Sequence, residues 1–108
     1  MSTARRAKIE ALLAEEPDDV FLRYSLALEL ESGGEWEAAL EMLETLARGT
    51  PPYVPALHMA GRHLVKRGRI EEARRALREG IDAAREQHDA HAAAEMAELL
   101  QSLGAAGE

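Results

Sequence analysis

The chain has 108 residues, about one domain's worth, with no cysteine, 46% hydrophobic residues and 4% aromatic residues. Small and aliphatic side chains must therefore build the core, which favours an all-α protein, and disulfides, thiolate nucleophiles and cysteine metal sites are excluded. The net charge of −7 argues against nucleic acid as the main partner, because phosphate binding rests on accumulated lysine and arginine.

The first predicted helix covers residues 3–16, with Ser2 or Thr3 as its N-cap and Pro17 at its end. Its basic residues are followed by no apolar run, and no segment of the sequence approaches the length of a membrane span. We therefore expect a cytosolic protein with no membrane partner.

Two helices joined by a glycine turn come next. Asp18 and Asp19 can cap the free N–H groups of a helix that runs to about Ser32, since carboxylates are favourable at the positive end of the helix dipole. Gly33-Gly34 predicts a left-handed C-cap and a tight turn. The partner helix covers residues 35–48 and has apolar residues at three- and four-residue spacing.

A second unit follows the same plan, with a helix from about Val54 to Lys66, a turn at Gly68 and a helix from Ile70 to about Arg85. Gly80 lies inside that last helix, where glycine costs about 1 kcal/mol relative to alanine. We therefore expect another backbone to come close to Gly80.

The last predicted helix covers residues 89–103, and residues 104–108 are expected to fray. Its apolar stripe follows that of the Val54 helix by 36 residues rather than 34. The loop at Gln87-His88 is therefore predicted to carry two extra residues.

An internal repeat of 34 residues organises the chain. Placing residues 17–50 on residues 51–84 without a gap gives seven identities, which fall on turn formers and apolar spacers. They are Pro17/Pro51, Val20/Val54, Leu30/Leu64, Gly34/Gly68, Glu37/Glu71, Ala39/Ala73 and Leu43/Leu77. A fixed period in this range indicates a stacked array of helical repeats.

This 34-residue unit resembles the tetratricopeptide repeat, which has small residues at its eighth and twentieth positions, glycine at the turn and proline at the end. The second unit offers Leu57, Ala60, Gly61, Leu64, Gly68, Ala73, Leu77 and Gly80, with Arg85 in place of the proline. The first offers Leu26, Ala27, Leu30, Gly34, Ala39, Leu43 and Pro51, with Arg23 in place of a bulky apolar residue and Leu46 in place of alanine.

The resemblance implies one domain, a right-handed α-α superhelix of six helices similar to the small stand-alone tetratricopeptide proteins of bacteria. Its parts would be an N-terminal half-repeat helix (3–16), repeat one (17–50), repeat two (51–86), a capping helix (89–103) and a frayed tail (104–108). Such arrays need about three repeats' worth of helices before neighbours cover one another's apolar faces. Two full units with a half-unit at each end meet that requirement.

The chemically active residues predict neither an enzyme nor a cofactor or metal site. His58 and His63 are five residues apart and so point in different directions on a helix. His91 and Glu95 are four apart, a spacing that can serve one metal ion, but no third or fourth ligand accompanies them. The four serines lie in no nucleophile or phosphate-loop pattern.

In the tetratricopeptide family the first helices of successive repeats line a concave groove that binds extended or helical peptides. The positions that the resemblance assigns to this groove are Phe21, Tyr24, Ser25, Leu28, His58, Met59, Arg62, Val65, Lys66, His91, Ala94, Glu95 and Glu98. Apolar anchors would come from Tyr24, Leu28 and Met59, and Arg62 and Lys66 would meet an acidic group of the partner. An alternative is that the three apolar side chains fill the groove by packing on one another.

Two functions follow from the sequence. The first is a non-catalytic module that binds a protein or peptide segment, with an acidic group, in the groove. The second is a homo-oligomer in which acidic outer faces (Glu37, Glu41, Glu44) of one copy meet basic outer faces (Arg74, Arg75, Arg78) of another. Residues 62–78 hold seven basic and two acidic side chains, so nucleic-acid binding there is a distant third hypothesis.

Overall fold

The computed structural model describes residues 3–107, with side chains from 4 to 104, and this part of the chain forms six α-helices and no strand. They are α1 (Thr3–Glu15), α2 (Val20–Ser32), α3 (Trp36–Ala47), α4 (Val54–Lys66), α5 (Ile70–Glu86) and α6 (Ala90–Gly107). Each helix packs on the next one in the chain, and α4 also contacts α6. The result is an elongated array of 44 × 29 × 19 Å, which confirms the predicted all-α repeat fold.

The core runs along the array at positions that recur with the repeat. Leu43, Leu77 and Met96 are the largest fully buried side chains, and the first two are 34 residues apart. Ala39 and Ala73, another pair at the repeat distance, are also fully buried and let neighbouring helices approach closely. The residues that carry the repeat are therefore the residues that hold the helices together.

Three helices end in the same left-handed turn. Gly34 and Gly68 have φ values of 88° and 78°, as predicted, and His88 takes the same place after α5 with a φ of 61°. The N–H group after each of these residues donates to a carbonyl of the last helical turn, at 2.8–2.9 Å. His88 therefore does what glycine does in the two other turns, although its Cβ makes that backbone conformation costly.

Replacing His88 by glycine is expected to raise the free energy of unfolding by about 1 kcal/mol, because glycine adopts a positive φ without a steric penalty. Thermal unfolding followed by circular dichroism measures the change. His91→Gly is the matched control, since His91 lies in the first turn of α6, where no positive φ is required and glycine should not stabilise the chain. Equal effects of the two substitutions would contradict the assignment of strain to His88.

The C-terminal half differs from the prediction in where the two extra residues of the 36-residue spacing lie. α5 has 17 residues against 12 for α3, and its connection to the next helix is three residues long rather than six. The two extra residues of the 36-residue spacing therefore lie in α5, and the predicted longer loop at Gln87-His88 is wrong. Thr50-Pro51-Pro52 stops the earlier connection from continuing as helix, whereas the residues after Arg85 hold no proline.

The chain ends show two further points. α6 continues through Gly104 to Gly107, where we expected fraying, because alanines favour helix at positions 105 and 106. At the other end, the predicted N-cap at Ser2 lies outside the described residues. The cap predicted for α2 is confirmed, since the Asp19 carboxylate accepts from the N–H of Leu22 at 2.9 Å.

Gly80 is buried against side chains rather than against another backbone. A Cβ at this position would collide with the Met96 sulfur and lie 3.2 Å from the Leu57 Cβ. The expected close approach of another backbone is therefore wrong, because the atoms closest to Gly80 belong to side chains. Glycine is required there because the side chains of Met96 in α6 and Leu57 in α4 occupy the space that a Cβ would need.

Candidate functional site

The first helices of the repeats, α2, α4 and α6, enclose a cavity of about 360 Å³. It holds five of the residues predicted for the groove, namely Tyr24, His58, Met59, Arg62 and Glu95. Its other lining residues are Val54, Pro55, Asp89 and Ala92. Its lining is mixed, with apolar side chains beside the ionisable side chains of His58, Arg62, Asp89 and Glu95.

Tyr24 forms the α2 wall of the cavity. Its ring packs edge-on against Tyr53, with ring centroids 5.5 Å apart and an interplanar angle of 70°. Burial raises the pKa of the Tyr24 hydroxyl, so the phenol stays protonated and can donate a hydrogen bond. Tyr24 and Met59 are half-buried, pack against the core and also line the cavity.

The polar groups of the cavity carry both signs of charge. Arg62 lies on α4, and Asp89 and Glu95 lie on the α6 side. Burial lowers the pKa of His58, Glu95 opposes that shift and Arg62 supports it. The imidazole is therefore neutral at pH 7, and the cavity offers a guanidinium near two carboxylates with a neutral histidine among them.

The other predicted groove residues do not line this cavity. Lys66 is held by Glu31, with 3.2 Å between Nζ and Oε2, so the predicted pairing of Lys66 with a partner's acidic group has a competitor within the chain. His91 is exposed beside Glu95, with 3.3 Å between Nε2 and Oε2, and Phe21 is 65% exposed outside the cavity. The remaining predicted positions outside the cavity lining are Ser25, Leu28, Val65, Ala94 and Glu98.

The sequence prediction missed four lining residues. Val54 and Pro55 belong to the first turn of α4, and Pro55 is the repeat counterpart of Phe21, so the 34-residue register could have named it. Asp89 lies just before α6 and Ala92 lies in its first turn. The family pattern names other positions of that helix. The Asp89 carboxylate also accepts from the N–H of Ala92 at 3.1 Å and so caps α6.

A family model described as tetratricopeptide repeat matches residues 30–103, which is more than half of the chain. The chain belongs to the tetratricopeptide repeat family. Members of this family are non-enzymatic repeat modules that mediate protein–protein interaction.

The solution structure of a protein from Bordetella parapertussis is similar to this tetratricopeptide repeat chain. The two are 28% identical and superpose with a TM-score of 0.78, over 96% of this chain and 90% of that one. No curated protein matches the chain closely enough to count as a relative.

The predicted basic outer face is wrong at Arg74, which is buried rather than exposed to a partner. Arg74 is 5% exposed; its guanidinium donates to the backbone carbonyl of Leu103 at 2.9 Å and pairs with Glu71. The arginine is buried because it holds the last turns of α6 against α5. It therefore belongs to the fold and is not available to a second copy.

Most of the basic segment 62–78 is neutralised in the same way. Lys66 and Arg67 contact Glu31, and Arg69 contacts Glu72 at 2.6 Å. With Arg74 paired to Glu71, four of the seven basic side chains have a carboxylate partner within the chain. The segment is therefore a weak candidate for binding phosphate groups.

Metal-binding and membrane-spanning features are absent from the part of the chain that the structure describes. Within residues 3–107, no three histidine, aspartate or glutamate side chains come together as a cluster that could hold a metal ion. None of the six described helices has the length and apolar character needed to cross a bilayer.

Proposed function

We propose that the chain binds a protein or peptide segment in the cavity between α2, α4 and α6. The observation that carries the proposal is the convergence of Tyr24, His58, Met59, Arg62 and Glu95 from three helices on one concave site. Because the lining residues come from separate repeats, a segment that binds all of them would lie across the helices. Family membership supports the same class of partner.

The chemistry of the lining suggests what the segment carries. The guanidinium of Arg62 can bind an acidic side chain or a carboxylate. Tyr24 and Met59 offer an apolar surface, and methionine adapts to partners of different shape. Asp89 and Glu95, on the α6 side, favour a basic or N–H-rich group elsewhere on the segment. We therefore propose a partner segment that combines an acidic group, an apolar side chain and a basic group.

A peptide selected from a library on the purified chain tests this proposal. Arg62→Ala is expected to raise the dissociation constant of that peptide about tenfold or more, because a hydrogen bond to a charged group contributes about 1.5–3 kcal/mol. Fluorescence anisotropy measures the constant. Arg75→Ala, which removes the same charge from the outer side of the array, is the matched control and should change it by less than about twofold.

The pattern of these two variants decides between the concave and the outer side. Equal weakening by both would show that only net charge matters, and weakening by Arg75→Ala alone would place the segment on the outer side. Tyr24→Ala adds a second check, since it removes the apolar wall on α2 and should weaken a peptide that Arg62 binds. The substitution leaves the outer side unchanged.

Self-assembly through acidic and basic outer faces is the weaker proposal. Of its three basic residues, Arg74 is buried, and Arg75 lines a cleft together with Glu44, Glu72 and Glu79 of the same chain. The charges that would attract a second copy thus have acidic neighbours already.

A further inference from the structure

His58 is the residue of the cavity lining whose charge can change near neutral pH, since histidine is the side chain that ordinarily titrates between about pH 5 and about pH 8. The other titratable and charged groups of the lining come from all three helices that enclose the cavity. They are Tyr24 on α2, Arg62 on α4, and Asp89 and Glu95 on the α6 side. His58 itself lies on α4, one helical turn before Arg62, and is half-buried. The charge of the cavity therefore depends on whether this imidazole carries a proton.

The unbound chain keeps the imidazole neutral. Burial lowers the pKa of His58 below its ordinary value of 6.5, the Glu95 carboxylate acts against that shift, and the Arg62 guanidinium adds to it. The Glu95 carboxylate is shared, because its Oε2 atom lies 3.3 Å from Nε2 of the exposed His91. One carboxylate that already has a partner does not outweigh burial and a neighbouring guanidinium. A proton on His58 is therefore unfavourable until a further negative charge enters the cavity.

Arg62 marks the place where a negative charge of the segment would enter. Its side chain is exposed and lines the cavity. Lys66, Arg67 and Arg69, the next basic residues along the chain, each contact a carboxylate of the chain. Arg62 has no such ion pair within residues 4–104. Its guanidinium is therefore available to an acidic group of the segment, with which it can form two parallel hydrogen bonds.

An acidic group held by Arg62 would also lie near His58. Residues four apart on a helix are neighbours, with about 5–6 Å between their Cβ atoms, and both of these side chains line the cavity. The imidazole would then have the acidic group of the segment beside it in addition to Glu95. Negative charges close to an imidazole favour its protonated form, in which both ring nitrogens donate hydrogen bonds. Binding of an acidic group therefore favours a proton on His58.

We propose that His58 couples binding of the segment to a proton: the chain takes up a proton at His58 when the acidic group binds beside Arg62, and the complex becomes tighter as the pH falls. The inference rests on the proposed function, because it needs an acidic group of the partner in this cavity. It adds a residue that reads the acidic group and a condition under which the partner is bound or released.

The protonation states of His58 set the direction of the effect. At alkaline pH the imidazole is neutral in the free chain and in the complex, so the dissociation constant does not change with pH. As the pH falls through the pKa that His58 has in the complex, the complex binds more protons than the free chain does, and the dissociation constant falls. The fall ends below the lower pKa of the free chain, where both states are protonated. Acidic segments are thus bound more tightly at mildly acidic pH than at alkaline pH.

The peptide selected on the purified chain is the probe for this coupling. Its dissociation constant for the wild-type chain is expected to fall about threefold to tenfold between about pH 8 and about pH 5.5, because a pKa difference of one unit between free chain and complex corresponds to a tenfold change. Fluorescence anisotropy with a label that does not titrate in this range measures the constant. Calorimetry in two buffers with different ionisation enthalpies measures the proton exchange, and we expect a net uptake of protons on binding.

Two variants of the chain and one of the peptide locate the proton. His58→Gln keeps a polar side chain but has no titratable group, so its dissociation constant should change by less than about 1.5-fold over the same range. His91→Gln removes the other histidine beside Glu95 and leaves the cavity lining unchanged, so it should keep the wild-type pH dependence. A peptide whose acidic residue is replaced by its amide should bind the wild-type chain without pH dependence.

Circular dichroism at each pH shows whether the chain stays folded, and His58→Asn takes the place of His58→Gln if that variant does not fold. A wild-type affinity that does not change with pH overturns the inference, and so does a pH dependence that survives the loss of His58 or disappears in His91→Gln. These results leave the proposed function intact as long as Arg62→Ala still weakens the peptide. If Arg62→Ala has no effect on binding, the proposed function fails, and the inference fails with it.

Discussion

Replacing Leu77 by alanine is expected to lower the free energy of unfolding by about 3–5 kcal/mol. The side chain is fully buried in α5, so the substitution removes its transfer free energy and leaves a cavity in the middle of the array. Domains of this size have a total stability of about 5–15 kcal/mol, so the loss is a large part of the whole. Urea unfolding followed by circular dichroism measures it.

The matched control is Ile9→Ala, which changes the same repeat position two units earlier. Ile9 is only half-buried, because the described array has no first helix ahead of α1, so the loss there should be below about 1.5 kcal/mol. Near-equal losses at Ile9 and Leu77 would show that the two positions are equally buried. That result would contradict the burial difference between α1 and α5 in the structure.

The fold was predictable from the sequence because its strongest signals are local. Gly34 and Gly68 mark turns that only a positive φ allows, and Leu43 and Leu77 mark the core at a fixed spacing. His88 takes the same left-handed conformation without being glycine, so the glycine pattern did not mark it. The bounds of α5 were predicted to within one residue, whereas α6 continues past Gly104, where the glycine indicated an end.

The candidate site was predictable in part. The family pattern named Tyr24, His58 and Arg62 because groove positions recur with the repeat, and the structure places them on one cavity. The pattern could not indicate that Glu31 holds Lys66, because their pairing depends on the distance between two repeats. It also could not indicate that Arg74 reaches the carbonyl of Leu103, since sequence charge alone does not separate a solvated arginine from a buried one.

Adding a methyl group at Gly61 is the second substitution with a large expected effect. A Cβ on Gly61 of α4 would lie 2.6 Å from Cδ2 and 2.8 Å from Cγ of Leu77. The Cγ atom is next to the Leu77 Cβ and the side chain is fully buried, so it has no space into which to turn. Overpacking of this kind costs about 1–3 kcal/mol, which exceeds the gain of about 1 kcal/mol from alanine in a helix. We expect Gly61→Ala to lower the free energy of unfolding by up to about 2 kcal/mol.

A double-mutant cycle separates the collision from any other effect of the methyl group. In the Leu77→Ala background the colliding atoms are gone, so Gly61→Ala should be neutral or stabilising, because the new methyl group partly fills the cavity. Gly33→Ala, at the C-cap of α2, is the control for a methyl group added without a collision, since its Cβ would come no closer than 3.4 Å to another atom and its effect should be within about 0.5 kcal/mol. A cost for Gly61→Ala that is the same with and without the leucine side chain would show that α4 and α5 are not held together by this contact. If the cost vanishes with Leu77, close approach of the first and second helix at Gly61 sets the spacing of the repeat, and with it the distance between the helices that form the cavity.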